Sequence, residues 1–256
     1  MRALSLRVRN FPPKGPSGNF VDTQTRHALK QDKLVTATQS GLDWIESNRS
    51  NVVRWTILTV VVVGLLVTGF VVWHNRSQAA DQLLSQAMDI YATPLATPGE
   101  PAPAGQKIYA TAADRAAAAY PLFEKAADQY SWQDAGKTAR YFAGIAEIDL
   151  GKTAQAEAEL KQASDSASSN VAALAKLALA NLYAQDGNTS QAATLFQELI
   201  AHPTTTVPKS AAQLQLAQMY ETSNPNEAKR IYAQIEDQDK GTDAAQLAQQ
   251  KLAKLK

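Results

Sequence analysis

The chain has 256 residues, 45% of them apolar, a formal net charge of +1 and no cysteine. The lack of cysteine excludes disulfide frameworks, thiolate metal sites, a cysteine nucleophile and a lipid-modified N-terminal cysteine. The near-neutral total hides an asymmetry: residues 1–54 carry nine Lys/Arg against four Asp/Glu, residues 74–256 carry sixteen against twenty, and residues 55–73 carry none.

Residues 1–21 mix Arg2, Arg7 and Arg9 with Pro12, Pro13, Gly15, Pro16 and Gly18, a combination that defeats both helix and strand and predicts a disordered basic arm. Three dispersed arginines read as a solvated tail, so no nucleic-acid partner is expected. Residues 22–54 lack proline and place Leu29, Val35, Leu42 and Ile45 at loosely helical spacing, which predicts a cytoplasmic juxtamembrane helix. Trp44 stands beside Leu42 and Ile45; a membrane-surface contact and a plain lead-in to the next segment both stay open.

Residues 55–73, WTILTVVVVGLLVTGFVVW, form a transmembrane candidate. As a helix these nineteen residues extend about 28 Å, against about 30 Å of bilayer hydrocarbon. Thr56, Thr59 and Thr68 can bond their hydroxyls back to helix carbonyls, which makes them tolerable in lipid. Trp55 and Trp73 stand at the two ends, where indoles favour the headgroup layer, and Arg54 and Arg76 bracket them as interface anchors. Some fifty residues precede the run, so it reads as an uncleaved anchor rather than a signal peptide. The basic arm puts the N-terminus in the cytoplasm and the C-terminal domain outside, which in a bacterium means a single-pass inner-membrane protein facing the periplasm. Gly64 and Gly69 are five apart and make no G-x-x-x-G face, so a homo-oligomer through this helix stays open.

Beyond the span, Ala80, Leu83, Leu84, Ala87, Met88 and Tyr91 share one side of an expected helical extension over residues 74–93. Pro94 stops it, and residues 94–105 are rich in proline and glycine and read as a loop.

From residue 106 to 241 the chain repeats. Gly151, Ala156, Leu160 and Ala163 shift by thirty-six onto Gly187, Ala192, Phe196 and Leu199; a further thirty-six carries the last three to Ala228, Tyr232 and Ile235, with an Asn224-Pro225 turn in place of glycine. A degenerate earlier copy falls on Tyr120, Phe123 or Glu124, and Ala127. The pattern is that of stacked helical hairpins: a small residue allows close approach, a large one four residues on fills the gap, and glycine or asparagine turns the chain. Residues 242–256 supply an amphipathic capping helix through Ala245, Leu247, Ala248, Leu252 and Leu255. The expected fold class is therefore all-α, with one membrane helix followed by a helical-hairpin solenoid.

The motif resembles the tetratricopeptide repeat, most faithfully at Gly144, Gly151, Ala156 and Ala163, and next at Ala180, Tyr183, Gly187, Ala192 and Phe196. It departs in its longer unit, in the absence of the early Trp and in the loop framed by Pro203 and Pro208. With the basic arm and single span, the layout resembles the ancillary subunit of the bacterial Sec translocon, and the repeats are also similar to those of the periplasmic cell-division coordinator. That resemblance implies partners among translocon subunits, periplasmic chaperones or exported client proteins, with chaperone-like handling of the clients. The other reading is a structural scaffold that self-associates or organises an envelope complex.

No catalytic motif is present. His27, His74 and His202 are scattered, there is no G-x-S-x-G, H-E-x-x-H, Walker loop or G-x-G-x-x-G, and carboxylate pairs such as Glu157/Glu159 and Asp237/Asp239 are two residues apart, which reads as solvated helix surface. Neither an enzyme nor a cofactor or metal site is expected. Tyr141, Tyr183, Tyr220 and Tyr232 recur at repeat spacing and read as packing. What remains is a binding surface on the first helix of each pair, where the register assigns Tyr141, Ile145, Leu177, Asn181, Leu214 and Gln218 to equivalent inward slots.

Overall fold

The computed structural model describes residues 48–97 and 107–255. The expected basic arm, the juxtamembrane helix up to residue 47 with Trp44, and most of the 94–105 loop lie outside the described residues. The chain divides into two compact units, Met1–Thr68 and Gly69–Lys256. The helices are α1 (Arg49–Tyr91), α2 (Ala112–Gln129), α3 (Asp134–Asp149), α4 (Thr153–Ser164), α5 (Ser169–Gln185), α6 (Thr189–Ala201), α7 (Lys209–Ser223), α8 (Pro225–Gln238) and α9 (Asp243–Lys254).

What is described of the first unit is the beginning of α1. Its apolar side chains are exposed all round, and none of the most apolar stretch is buried within the protein. Valine is a modest helix former, but a helix closes every backbone hydrogen bond within one segment, which an apolar surrounding demands. The three threonines join that economy: the hydroxyls of Thr56, Thr59 and Thr68 donate to the carbonyls of Val52, Trp55 and Gly64, each at 2.8 Å.

In the second unit the helices follow one another as antiparallel neighbours: α2 packs on α3, α3 on α4, and so on to α9. Each first helix of a pair also meets the first helix of the next, α3 with α5, α5 with α7 and α7 with α9. That pattern is a solenoid in which a pair contacts only its neighbours. The core lies where the register puts it. Ala156, Leu160 and Ala163 of α4, Ala192, Phe196 and Leu199 of α6, and Ala228, Tyr232 and Ile235 of α8 are all buried. Gly151 and Gly187 turn the chain between the helices of their pairs at φ +70° and +78°, a region costly for residues with a Cβ. The third pair turns without positive φ. Asn224, at φ −152°, accepts the Glu227 N–H on its side chain while Pro225 opens α8.

The first copy keeps Phe123, one of the two residues expected at its large position, and Ala127, both buried, and departs in its small residue. Phe123 takes the large core position and Ala119 the small one, while Tyr120 is half-buried and Glu124 faces solvent. Its partner helix is the end of α1, where Ala80 and Ala87 are fully buried and Leu83, Leu84, Met88 and Tyr91 are half-buried. Tyr91, Phe123 and Phe142 form an aromatic knot with centroids 5.5–6.3 Å apart. The Tyr91 hydroxyl donates to Asp149 Oδ2 at 2.6 Å and ties α1 to the end of α3.

Both loops were legible in the sequence, but the bridge across one and the buried residue inside the other carried no sequence signal. Leu95 and Tyr109 form an isolated bridge, with the Ala96 N–H donating to the Tyr109 carbonyl at 2.8 Å, so the Pro-rich segment is closed at its base. The loop framed by Pro203 and Pro208 is built around Val207, which is fully buried with Ala173, Leu199 and Ala212. Thr204 and Thr206 staple it, to the Val207 N–H and the Asn170 carbonyl.

Candidate functional site

Tyr141 and Ile145 lie on α3, Leu177 and Asn181 on α5, Leu214 and Gln218 on α7. Because α3 and α5 touch along their first-helix faces, the first four line one pocket of about 240 Å³ with Ile148, Leu174 and Gln185. A neighbouring pocket of about 570 Å³ is bordered by Asn181 and Gln185 again, then by Gln215, Gln218 and Met219. Asn181 and Gln185 thus stand on the border between an aliphatic slot and an amide-rich one. Leu214 lines neither, being half-buried against the core.

The additional lining residues were within reach of the sequence. Ile148 is three residues beyond Ile145, Leu174 three before Leu177, and Gln185 four after Asn181, so each shares a helix stripe with a residue already singled out. Tyr141 stacks edge-on against Phe142 at 5.0 Å, and burial pushes its hydroxyl pKa up. The side chain presents a neutral aromatic wall.

A larger open recess of about 1080 Å³ lies between the start of α5, the end of α6 and the 202–208 loop, and it includes His202. Of its charged members Lys176, Glu198 and Lys209, the first two form an ion pair with each other.

The carboxylates read as solvated surface are in part structural ties. Glu157 accepts from Tyr183 at 2.9 Å and Lys161 at 2.5 Å, and Glu159 pairs with Arg140 at 2.9 Å; Asp237, bonded to Lys240, stays in solvent. The reason is that α4 is covered on one side by α3 and on the other by α5, which bring cationic and phenolic donors to it. Glu147 carries no such tie at Oε2, although only 3% of the residue is exposed. Burial raises its pKa, neighbouring Glu159 and Glu124 add to the rise, and Tyr120 and Lys152 oppose it. Among the described residues no group of three or more His, Cys, Asp or Glu is placed to hold a metal ion.

Of the four expected interface anchors, Arg54, Trp55 and Trp73 project from α1, with Trp55 67% and Trp73 57% exposed. Arg76 has protein partners as well: its Nη2 donates to the Gln129 carbonyl at 3.0 Å and its guanidinium lies 5.7 Å over the Tyr130 ring.

A search of curated proteins finds no match. Among solved structures, the chain is similar to the putative kinesin light chain nearly identical TPR-like repeats of Podosopora anserina, at 15% identity and a TM-score of 0.46, over 71% of this chain and 84% of that one. A single-substitution variant of that protein aligns over the same shares, at 15% identity and a TM-score of 0.45. The model of the tetratricopeptide repeat-like domain matches residues 44–203, from ahead of the apolar run of α1 to the end of the second full hairpin. With more than half of its length matched and its core in repeat register, this chain belongs to the tetratricopeptide repeat-like domain family.

Proposed function

We infer that this protein binds other proteins, since repeats of its family generally mediate protein–protein interaction and the family is generally non-enzymatic. We propose that this protein is a membrane-anchored binding module whose α3–α5–α7 face takes an extended segment of another protein, and that it serves as an accessory of the bacterial Sec translocon with chaperone-like handling of exported proteins. The observation that carries the binding reading is the paired pocket: an aliphatic slot of Tyr141, Ile145 and Leu177 meets an amide-lined one of Gln215 and Gln218 across Asn181. Apolar side chains of an extended peptide fit the first slot, and the amides of Asn181 and Gln185 are suited to its backbone.

Membrane attachment is supported by α1, one helix long and apolar enough to cross a bilayer, with its apolar side chains unburied. The inner-membrane, periplasm-facing topology is supported by the excess of Lys/Arg over residues 1–54 against the acidic balance of residues 74–256. The translocon assignment rests on the family resemblance of the whole layout.

The test is a photocrosslinking phenylalanine analogue in place of Asn181, in cells exporting a tagged secretory protein. Adducts with translocon subunits and with the exported chain are expected, and replacing Ile145 and Leu177 with Asp should abolish them. Adducts with the protein itself alone would sink the translocon reading in favour of the scaffold. Protease added to spheroplasts should digest residues beyond about 76; digestion confined to the N-terminal arm would reverse the topology.

A further inference from the structure

Trp132 is 89% exposed, more than any other large hydrophobic residue among those described. It sits in the turn between α2 and α3, and that turn is tight. The Gln133 N–H donates to the Tyr130 carbonyl at 2.9 Å, and the same carbonyl lies 1.9 Å from where a Cβ on residue 136 would be, so only Gly136 lets the turn close this tightly. The close-packed turn leaves the indole uncovered by the rest of the protein.

Where the turn points follows from contacts at the two ends of α2, all within the second unit. At the start of α2, Arg115 lies 4.8 Å over the Tyr91 ring and reaches the Thr93 carbonyl, so this end sits at the C-terminus of α1. At the other end, Arg76 of α1 holds the Gln129 carbonyl and the Tyr130 ring. Helix α2 therefore runs back antiparallel to α1 and delivers the 130–133 turn beside Arg76. Trp73, the last residue of the apolar run, is three residues from Arg76, about 4.5 Å along the helix axis. The headgroup layer beyond the hydrocarbon is about 5–8 Å deep on each side, so the turn falls at its level.

We propose that Trp132 is a second membrane-interface anchor, inserted in the phospholipid headgroup layer on the same side as Trp73, so that the repeat domain touches the bilayer through the α2–α3 turn. The inference rests on the reading of α1 as a membrane span. An indole suits that layer because its ring is apolar and its N–H can bond to lipid carbonyl or phosphate oxygens. Arg76 is the positioning residue, joining the turn to the end of the span.

The experiment reconstitutes the full chain in vesicles of mixed zwitterionic and anionic phospholipid, with Trp44→Phe, Trp55→Phe and Trp73→Phe leaving Trp132 as the single indole. Lipids brominated high on the acyl chain are expected to quench its emission, and aqueous acrylamide to quench it less than in the chain unfolded by denaturant. A second chain keeping only Trp73 reports on the span. Quenching by brominated lipid at Trp73 with none at Trp132, whether Trp132 is open to acrylamide or shielded by protein, would overturn the inference and leave the span intact. Absence of lipid quenching at both positions would overturn the span reading and this inference with it.

Discussion

Phe70 and Phe196 are the same residue in helices of the same chain, yet Phe70 is 64% exposed and Phe196 is fully buried. Phe70 belongs to a run apolar on every face, which no single stripe of protein can cover. Phe196 belongs to a helix whose apolar residues recur along one stripe, and the flanking helices of the solenoid close over that stripe. The difference shows that apolar content does not decide burial; its angular distribution does. An all-round apolar helix needs an apolar solvent, whereas a striped one finds its cover in its neighbours.

Substitutions break that comparison from each side. Phe196→Ala should have the largest effect, about 3–5 kcal/mol of repeat stability, because it removes a fully buried ring from between packed hairpins. Thermal unfolding of the full chain in detergent reads the loss, and membrane attachment should not change. Leu65→Arg, in the middle of the apolar run, should disfavour insertion by about 3 kcal/mol and leave the unfolding of the repeats alone. The share of protein resisting alkaline extraction from membranes measures it. If either substitution moved both readouts together, the two regions would not be separable in this way.

Smaller changes sharpen the picture within the repeats. The Tyr232 hydroxyl donates to Glu221 Oε1 at 2.6 Å, linking α8 to α7, so Tyr232→Phe should cost about 1 kcal/mol in the same unfolding measurement while keeping the packed ring. Glu147→Gln should give the smallest change at any single pH and be recognised by its sign. The folded protein holds the Glu147 proton to higher pH than the unfolded chain does. Stability from this group is therefore present at low pH and lost as pH rises from the ordinary carboxylate range, about pH 4, through the raised value. The Gln variant should lack that decline, with melting temperature followed against pH. Parallel profiles for the two proteins would mean that Glu147 is ionised in the fold.

Much of this architecture was legible before any coordinates. The thirty-six-residue register named Ala156, Leu160, Phe196, Tyr232 and Ile235 as core because a helix hairpin must repeat its small and large residues at the period of the hairpin. The same register picked Tyr141, Ile145, Leu177 and Asn181, which the α3–α5 contact brings to one pocket, and it also picked Leu214, which lines neither pocket. Register specifies a helix face, but not how deeply a neighbouring helix covers it.

By itself the sequence determined what local periodicity and composition can carry: the all-round apolar run, the striped hairpins, the glycine turns at 151 and 187, and the charge contrast between the two ends. Tertiary structure alone decided what depends on partners distant in the chain. It placed Phe123 and Ala119 in the first core in preference to Glu124 and Tyr120, clasped Leu95 to Tyr109, buried Glu147 beneath residues of α2 and α4, and turned Glu157 and Glu159 into ties. It also brought the turn carrying Trp132 back to Arg76. Each of these outcomes joins elements whose spacing in sequence has no period, so the packing of one helix against another, and not the pattern along any one of them, selects it.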